Sequence, residues 1–102
     1  MNNKTQGINY KLRQSAKNDL KEIGRYTLKN YGKTQRDRYL RGLKKRFELL
    51  GENPGFGRPR DDVKAGYHCS DYEKHVVFYR VQKGIVEILA VLHASMVPEL
   101  HL

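Results

Sequence analysis

Tryptophan is absent from this chain of 102 residues, cysteine occurs once and proline three times. With Cys69 alone, no internal disulfide can form and no thiolate ligand set exists. A reduced thiol within a strand is its expected role. Nowhere does the chain approach the roughly 20 consecutive apolar residues that a membrane-spanning helix needs. The first residues, Met1 to Gly7, are polar and lack the apolar stretch of a signal peptide, so a cytoplasmic protein is expected. Acidic residues are scarce too: 11 Asp and Glu stand against 20 Lys and Arg, a formal net charge of +9. Such a field draws acidic partners, either nucleic acid or protein. No metal-ligand spacing is present, and neither a metal nor a cofactor is expected.

What is present is the composition of a folded protein, 38% hydrophobic and 30% charged. The length fits one domain over residues 1–102, with tails at 1–7 and 97–102 expected to be flexible. Ile8 to Arg13 alternates apolar and polar side chains, the signature of a half-buried strand. Ser15 stands where a helix N-cap is expected. Ala16, Leu20, Ile23 and Thr27 then mark one helix face, Tyr31 extends it, and Gly32 is expected to end it. Thr34 with Asp37 has capping-box spacing, and Leu40, Leu43, Phe47 and Leu50 form a second stripe. Two matched stripes across a Gly-Lys turn predict an antiparallel helical hairpin.

Gly51 and the run Asn53-Pro54-Gly55 are expected to stop the second helix. A loop from Glu52 to Ala65 follows, long enough to suggest a functional role. Tyr67 to Tyr72 is a weak strand candidate and His75 to Val81 a strong one. Gln82-Lys83-Gly84 reads as a hairpin turn, and Ile85 to His93, apolar on both faces, belongs inside a sheet. The order strand, helix, helix, strand, strand, strand predicts an α+β fold, the helical hairpin packed on a small, antiparallel-rich sheet.

Three local runs in this order resemble the ParE/RelE toxin superfamily, and its ParE branch in particular. They are Asn53-Pro54-Gly55-Phe56-Gly57-Arg58-Pro59-Arg60-Asp61-Asp62, His75-Val76-Val77-Phe78-Tyr79-Arg80-Val81 and Ile88-Leu89-Ala90-Val91-Leu92-His93. The resemblance implies the toxin of a type II toxin-antitoxin system that inhibits DNA gyrase, and so replication, without catalysis. It implies a ParD-like antitoxin as the neutralising partner, and DNA only indirectly, through gyrase or the antitoxin complex. Two departures stand out. Gly66 is followed by Tyr67 and His68 where relatives often carry Arg, and the ending is Leu92-His93-Ala94-Ser95-Met96 with an apolar tail.

RelE-branch relatives cut messenger RNA on the ribosome, which requires an acid, a base and a cation for the transition-state charge. His68, His75, His93 and Arg80 are the candidates for such work, with His93 and Arg80 foremost. Val76 falls where a RelE-type strand would place a phosphate-binding Arg. Partner-contacting candidates are Arg58, Arg60, Asp62, Arg80, His93, Ser95 and Met96. The second helix carries Lys33, Arg36, Arg38, Arg41, Lys44, Lys45 and Arg46 but no base-reading pattern, so it reads first as a solvated face.

Overall fold

The structure, a computed structural model, describes residues 9–102. The expectations for residues 1–7 and for Ile8 in the first strand lie outside the described residues. Strand β1 (Tyr10–Leu12) leads into helix α1 (Gln14–Tyr31) and helix α2 (Lys33–Glu52). Then come β2 (Arg58–Pro59), β3 (His68–Tyr72), β4 (His75–Gln82) and β5 (Ile85–His93). The sheet runs β1-β5-β4-β3-β2, with β1 parallel to β5 and the other pairs antiparallel. This is the α+β arrangement the sequence implies, with one strand more, because Arg58–Pro59 pairs with Cys69 and His68.

Both helical stripes face the same side of the sheet. Ala16, Ile23, Leu43, Phe47 and Leu50 are buried against Val77, Tyr79, Val86, Ile88 and Val91. Removing this much apolar surface from water is the main force holding hairpin to sheet. The helix ends differ from expectation. Ser15 lies inside the first turn of α1 and donates instead to the Leu89 carbonyl (2.7 Å). Thr34 likewise lies within α2, which starts one residue earlier and has no side-chain cap. Gly32 alone joins the helices, at φ +89°, a backbone state that costs glycine little and other residues much. Gly51 does not stop α2, which runs on to Glu52. Tyr31 leaves the buried stripe and is 60% exposed.

Strand β1 is too short to cover the whole edge of β5, pairing only with Val86 to Ile88. Beyond it α1 supplies the missing partners from side chains one turn apart. Ser15 takes the Leu89 carbonyl, and the Val91 N–H donates to Asp19 Oδ2 (2.9 Å). Burial outweighs that hydrogen bond and holds the Asp19 carboxyl above its usual range.

The double-sided apolarity of β5 has a particular origin. Phe78 pairs with Ala90 and Tyr79 with Ile88, so Leu89 is an extra residue that bulges. Ahead of it Val86 and Ile88 face the helices; after it Val91 does, while Leu89, Ala90 and Leu92 turn to the far face. There they bury Phe78, Cys69 and Tyr67 without any helix. The long loop supplies the cover. Val63 packs on this cluster, and the Arg60 guanidinium lies 5.5 Å from the centre of the Phe78 ring. A latch holds the loop: Gly57 N–H donates to Tyr79 Oη (3.0 Å), which donates to the Pro54 carbonyl (2.6 Å). A Cβ on Gly57 would stand 2.5 Å from the Cys69 carbonyl oxygen, so only glycine fits this approach.

Candidate partner-binding site

The end of the sheet away from the β4–β5 turn is open. A groove of about 640 Å³ lies there, between α1 and α2 on one side and the β3–β4 turn and chain end on the other. Ile23, Tyr26, Thr27 and Tyr31 form its α1 wall, and Gln35 and Tyr39 its α2 wall. Glu73, Lys74, His75, His93, Ser95 and Met96 complete it. Tyr26 is 63% exposed and Met96 44%, so large apolar side chains rim the groove without covering it.

His75 and His93 lie opposite each other on β4 and β5. The Ala94 N–H donates to the Lys74 carbonyl (2.9 Å), which makes 75/93 the intervening pair without backbone hydrogen bonds. In such pairs the side chains come closest, and the two rings meet edge to face with centres 5.5 Å apart. His75 Nδ1 lies 2.6 Å from Tyr39 Oη, and His93 Nδ1 lies 2.7 Å from Ser95 Oγ. Burial, then the neighbouring His93, hold the His75 pKa below its ordinary value. Burial likewise raises the Tyr39 hydroxyl. At neutral pH His75 is therefore an uncharged imidazole, set by a tyrosine on α2 and ready to accept or donate.

A second depression, of about 310 Å³, lies on the far face over Val76, Phe78 and Leu92. Arg58 and Arg60 stand at its rim, and His93 and Met96 separate it from the groove. Arg58 holds Asp71 with both terminal nitrogens (2.9 and 3.4 Å). Arg60 grips Asp62 in the same way through Nε and Nη2, both at 3.0 Å. Hydrogen bonds to these carboxylates raise both guanidinium pKa values, and the bond from Arg60 lowers that of Asp62.

Of the residues singled out from sequence, His93, Ser95 and Met96 line the groove together, and Arg58, Arg60 and Asp62 gather by the far-face depression. Arg80 joins neither. Near the β4–β5 turn it donates to Glu87 (2.7 Å), which also receives Arg13. Burial pushes the Glu87 carboxyl up, but Arg80 and Arg13 together bring it below its usual value. Arg80 pairs with Glu87, six residues before His93 on β5, a run of roughly 20 Å at strand rise. The two therefore cannot attend one phosphodiester. His68, on β3, is likewise apart from them, stacked on Tyr79.

Among the described residues no group of three or more His, Cys, Asp or Glu could hold a metal ion, and no helix is long and apolar enough to cross a membrane. The fold of the sheet and hairpin matches a solved structure, "Chromosomal ParDE TA system from P. aeruginosa", with a TM-score of 0.74. That match spans 84% of this chain and 95% of the other at 17% identity, which speaks for the fold alone. Residues 10–98 match the family described as ParE toxin of type II toxin-antitoxin system, parDE. The chain belongs to the ParE toxin family. It is 43% identical over 94 residues to Toxin ParE1 of Caulobacter vibrioides, covering 91% of this chain and 96% of that protein. It is 34% identical over 88 residues to Toxin ParE1 of Mycobacterium tuberculosis, covering 85% and 90%.

Within this ParE framework, Tyr26, Tyr39 and Gln35 are groove residues that reading the sequence did not single out. Only Tyr39 had a usable signal. It sits one residue before Leu40 in the α2 stripe, is 7% exposed, and yet carries a hydroxyl needing a partner. The role of His75 required knowing its register against His93.

Proposed function

We propose that this ParE-family chain inhibits DNA gyrase by binding it in the cytoplasm, without catalysis of its own, and that a ParD-like antitoxin neutralises it by occupying the groove. The observation that carries the binding part is the groove itself: an apolar recess rimmed by Tyr26, Tyr31 and Met96 and floored by His75 and His93. Exposed aromatic anchors beside a recess are what a helical or extended partner segment uses. A net charge of +9 favours an acidic segment. His93, Ser95 and Met96 are the contact residues of this reading. Arg58, Arg60 and Asp62 mark a second contact surface on the far face. Arg80 drops out, being committed to Glu87.

The separation of Arg80 from His93 favours inhibition over the ribonuclease chemistry of the RelE branch, since acid and cation would have to meet at one phosphate. The deciding experiment is induction of the chain alone in a bacterial host, with DNA and protein synthesis pulse-labelled over the first minutes. DNA synthesis is expected to fall first, and the purified chain to block supercoiling by gyrase. Early collapse of protein synthesis would instead establish the ribonuclease alternative. For the groove, Tyr26→Ala with Tyr31→Ala should weaken antitoxin binding by about tenfold or more, the loss expected of exposed aromatic anchors. Unchanged binding would move the antitoxin elsewhere.

A further inference from the structure

We infer that His75 and His93 form a two-histidine site for a divalent transition-metal ion such as Zn²⁺, on the floor of the groove. The starting point is backbone register. The pair occupies the closely spaced position of the β4–β5 ladder, so both imidazoles project side by side from adjacent strands. With metal–nitrogen bonds of about 2.0–2.1 Å, two imidazoles sharing a tetrahedral ion have ring centres roughly 5–5.5 Å apart. The observed separation is 5.5 Å.

The hydrogen bonds around the pair favour the same use. Each Nδ1 faces a hydroxyl, Tyr39 Oη at 2.6 Å and Ser95 Oγ at 2.7 Å, while neither Nε2 has a protein partner among the described residues. A histidine that binds metal through Nε2 needs its Nδ1–H held by an acceptor, which fixes tautomer and ring orientation. Tyr39 can serve, because its own O–H has the Tyr72 carbonyl at 3.4 Å. Ser95 Oγ, 2.7 Å from His93 Nδ1, can take the same part for His93 once that nitrogen carries the proton. Glu22 and Glu73 on the groove wall add attraction that Lys74 partly offsets.

Two features limit affinity. The Ser95 N–H now donates to His93 Nδ1 (3.1 Å), a bond given up when that nitrogen carries a proton. The rings also stand at 83°, so the exposed His93 ring turns to bring its Nε2 onto the ion. Water fills the remaining coordination positions, and they are open to a carboxylate or imidazole from whatever enters the groove.

The test is titration of Zn²⁺ into the untagged full-length chain at neutral pH, followed by thermal unfolding and by NMR of the imidazole nitrogens. The melting temperature should rise with Zn²⁺, and the Nε2 resonances of His75 and His93 should shift together. His93→Ala and His93→Gln should both abolish these effects, while His68→Ala leaves them intact. Tyr39→Phe, which removes only the supporting hydroxyl, should weaken binding by about tenfold. The inference is overturned if those two resonances stay still at millimolar Zn²⁺, or if the effects survive both His93 substitutions. Because the isolated chain is used, the outcome does not depend on gyrase or antitoxin.

Discussion

The two faces of the sheet are buried by different means. One lies under two helices whose apolar stripes interlock with Val77, Val86, Ile88 and Val91. The other buries Phe78, Leu89 and Leu92 just as completely, yet beneath a loop and one arginine, the loop being tied at its start to Tyr79 on the helical face. Burial alone therefore does not tell how firmly a face is held. A helix pair is fixed by many contacts along its length, whereas a loop lid rests on a few polar ties and can settle into a space left beneath it.

The largest effects should expose this asymmetry. Leu43 and Leu89 are both fully buried, one on each face. Leu43→Ala is expected to cost about 4 kcal/mol and Leu89→Ala about 2.5 kcal/mol, because the cost grows with the cavity that survives relaxation. Chemical denaturation of the two variants measures the difference. Equal losses would show that the loop lid is as rigid as the hairpin.

Next in size is the tie between α1 and the open edge of β5. Asp19→Ala leaves the Val91 N–H without its acceptor, and an unsatisfied amide costs about 2 kcal/mol. Hydrogen exchange at Val91 should rise in step. A loss below half of that would mean that water replaces the carboxylate and that the edge is less enclosed than its burial suggests.

These two faces were unequally legible in the sequence. The helical face was written in periodicity: Ala16, Ile23, Leu43, Phe47 and Leu50 all fall on stripes spaced by three and four, and all are buried. The bounds of β5 could be read from an apolar run interrupted only by Glu87, but the bulge at Leu89 that divides its side chains between faces could not. A bulge depends on the partner strand, so it leaves no pattern in one segment. Ser15 misled for a related reason. Its type suits a cap, yet a nearby unpaired carbonyl on β5 offered a bond that local sequence does not reveal. Of the groove lining, His93, Ser95 and Met96 are among the partner-contact candidates read from the sequence, while its wall of Tyr26, Tyr31 and Tyr39 depended on how α1 and α2 sit above the sheet.

A smaller effect isolates the far-face lid. Arg60 spans the Phe78 ring at 5.5 Å. Arg60→Met keeps a similar apolar stem and removes the cation, so it should cost only about 1 kcal/mol, the scale of a partly exposed cation–π contact. A larger loss would show that the guanidinium pins the loop itself. Limited proteolysis should then cut near Asp61 in the variant sooner than in the parent chain.

The smallest effect is set at the open end of the helical face, where His75 is enclosed by Tyr39 and His93 with Glu73 and Lys74 on the groove wall. Burial holds the folded His75 pKa below the ordinary imidazole value of 6.5. Between that lowered value and about 6.5, the unfolded chain binds more protons than the folded one. Stability contributed by neutral His75 is thus fully present above this window and declines as pH falls through it, levelling off below both values. His75→Gln cannot titrate, so its unfolding free energy should be flatter across the same window, whatever its offset at neutral pH. Asp19, whose buried carboxyl is held above its usual range, is common to parent and variant, so the difference between the two curves isolates His75. If parent and variant show parallel pH dependence, the His75 ring is hydrated, and the groove floor is wetter than the closed helical face beside it.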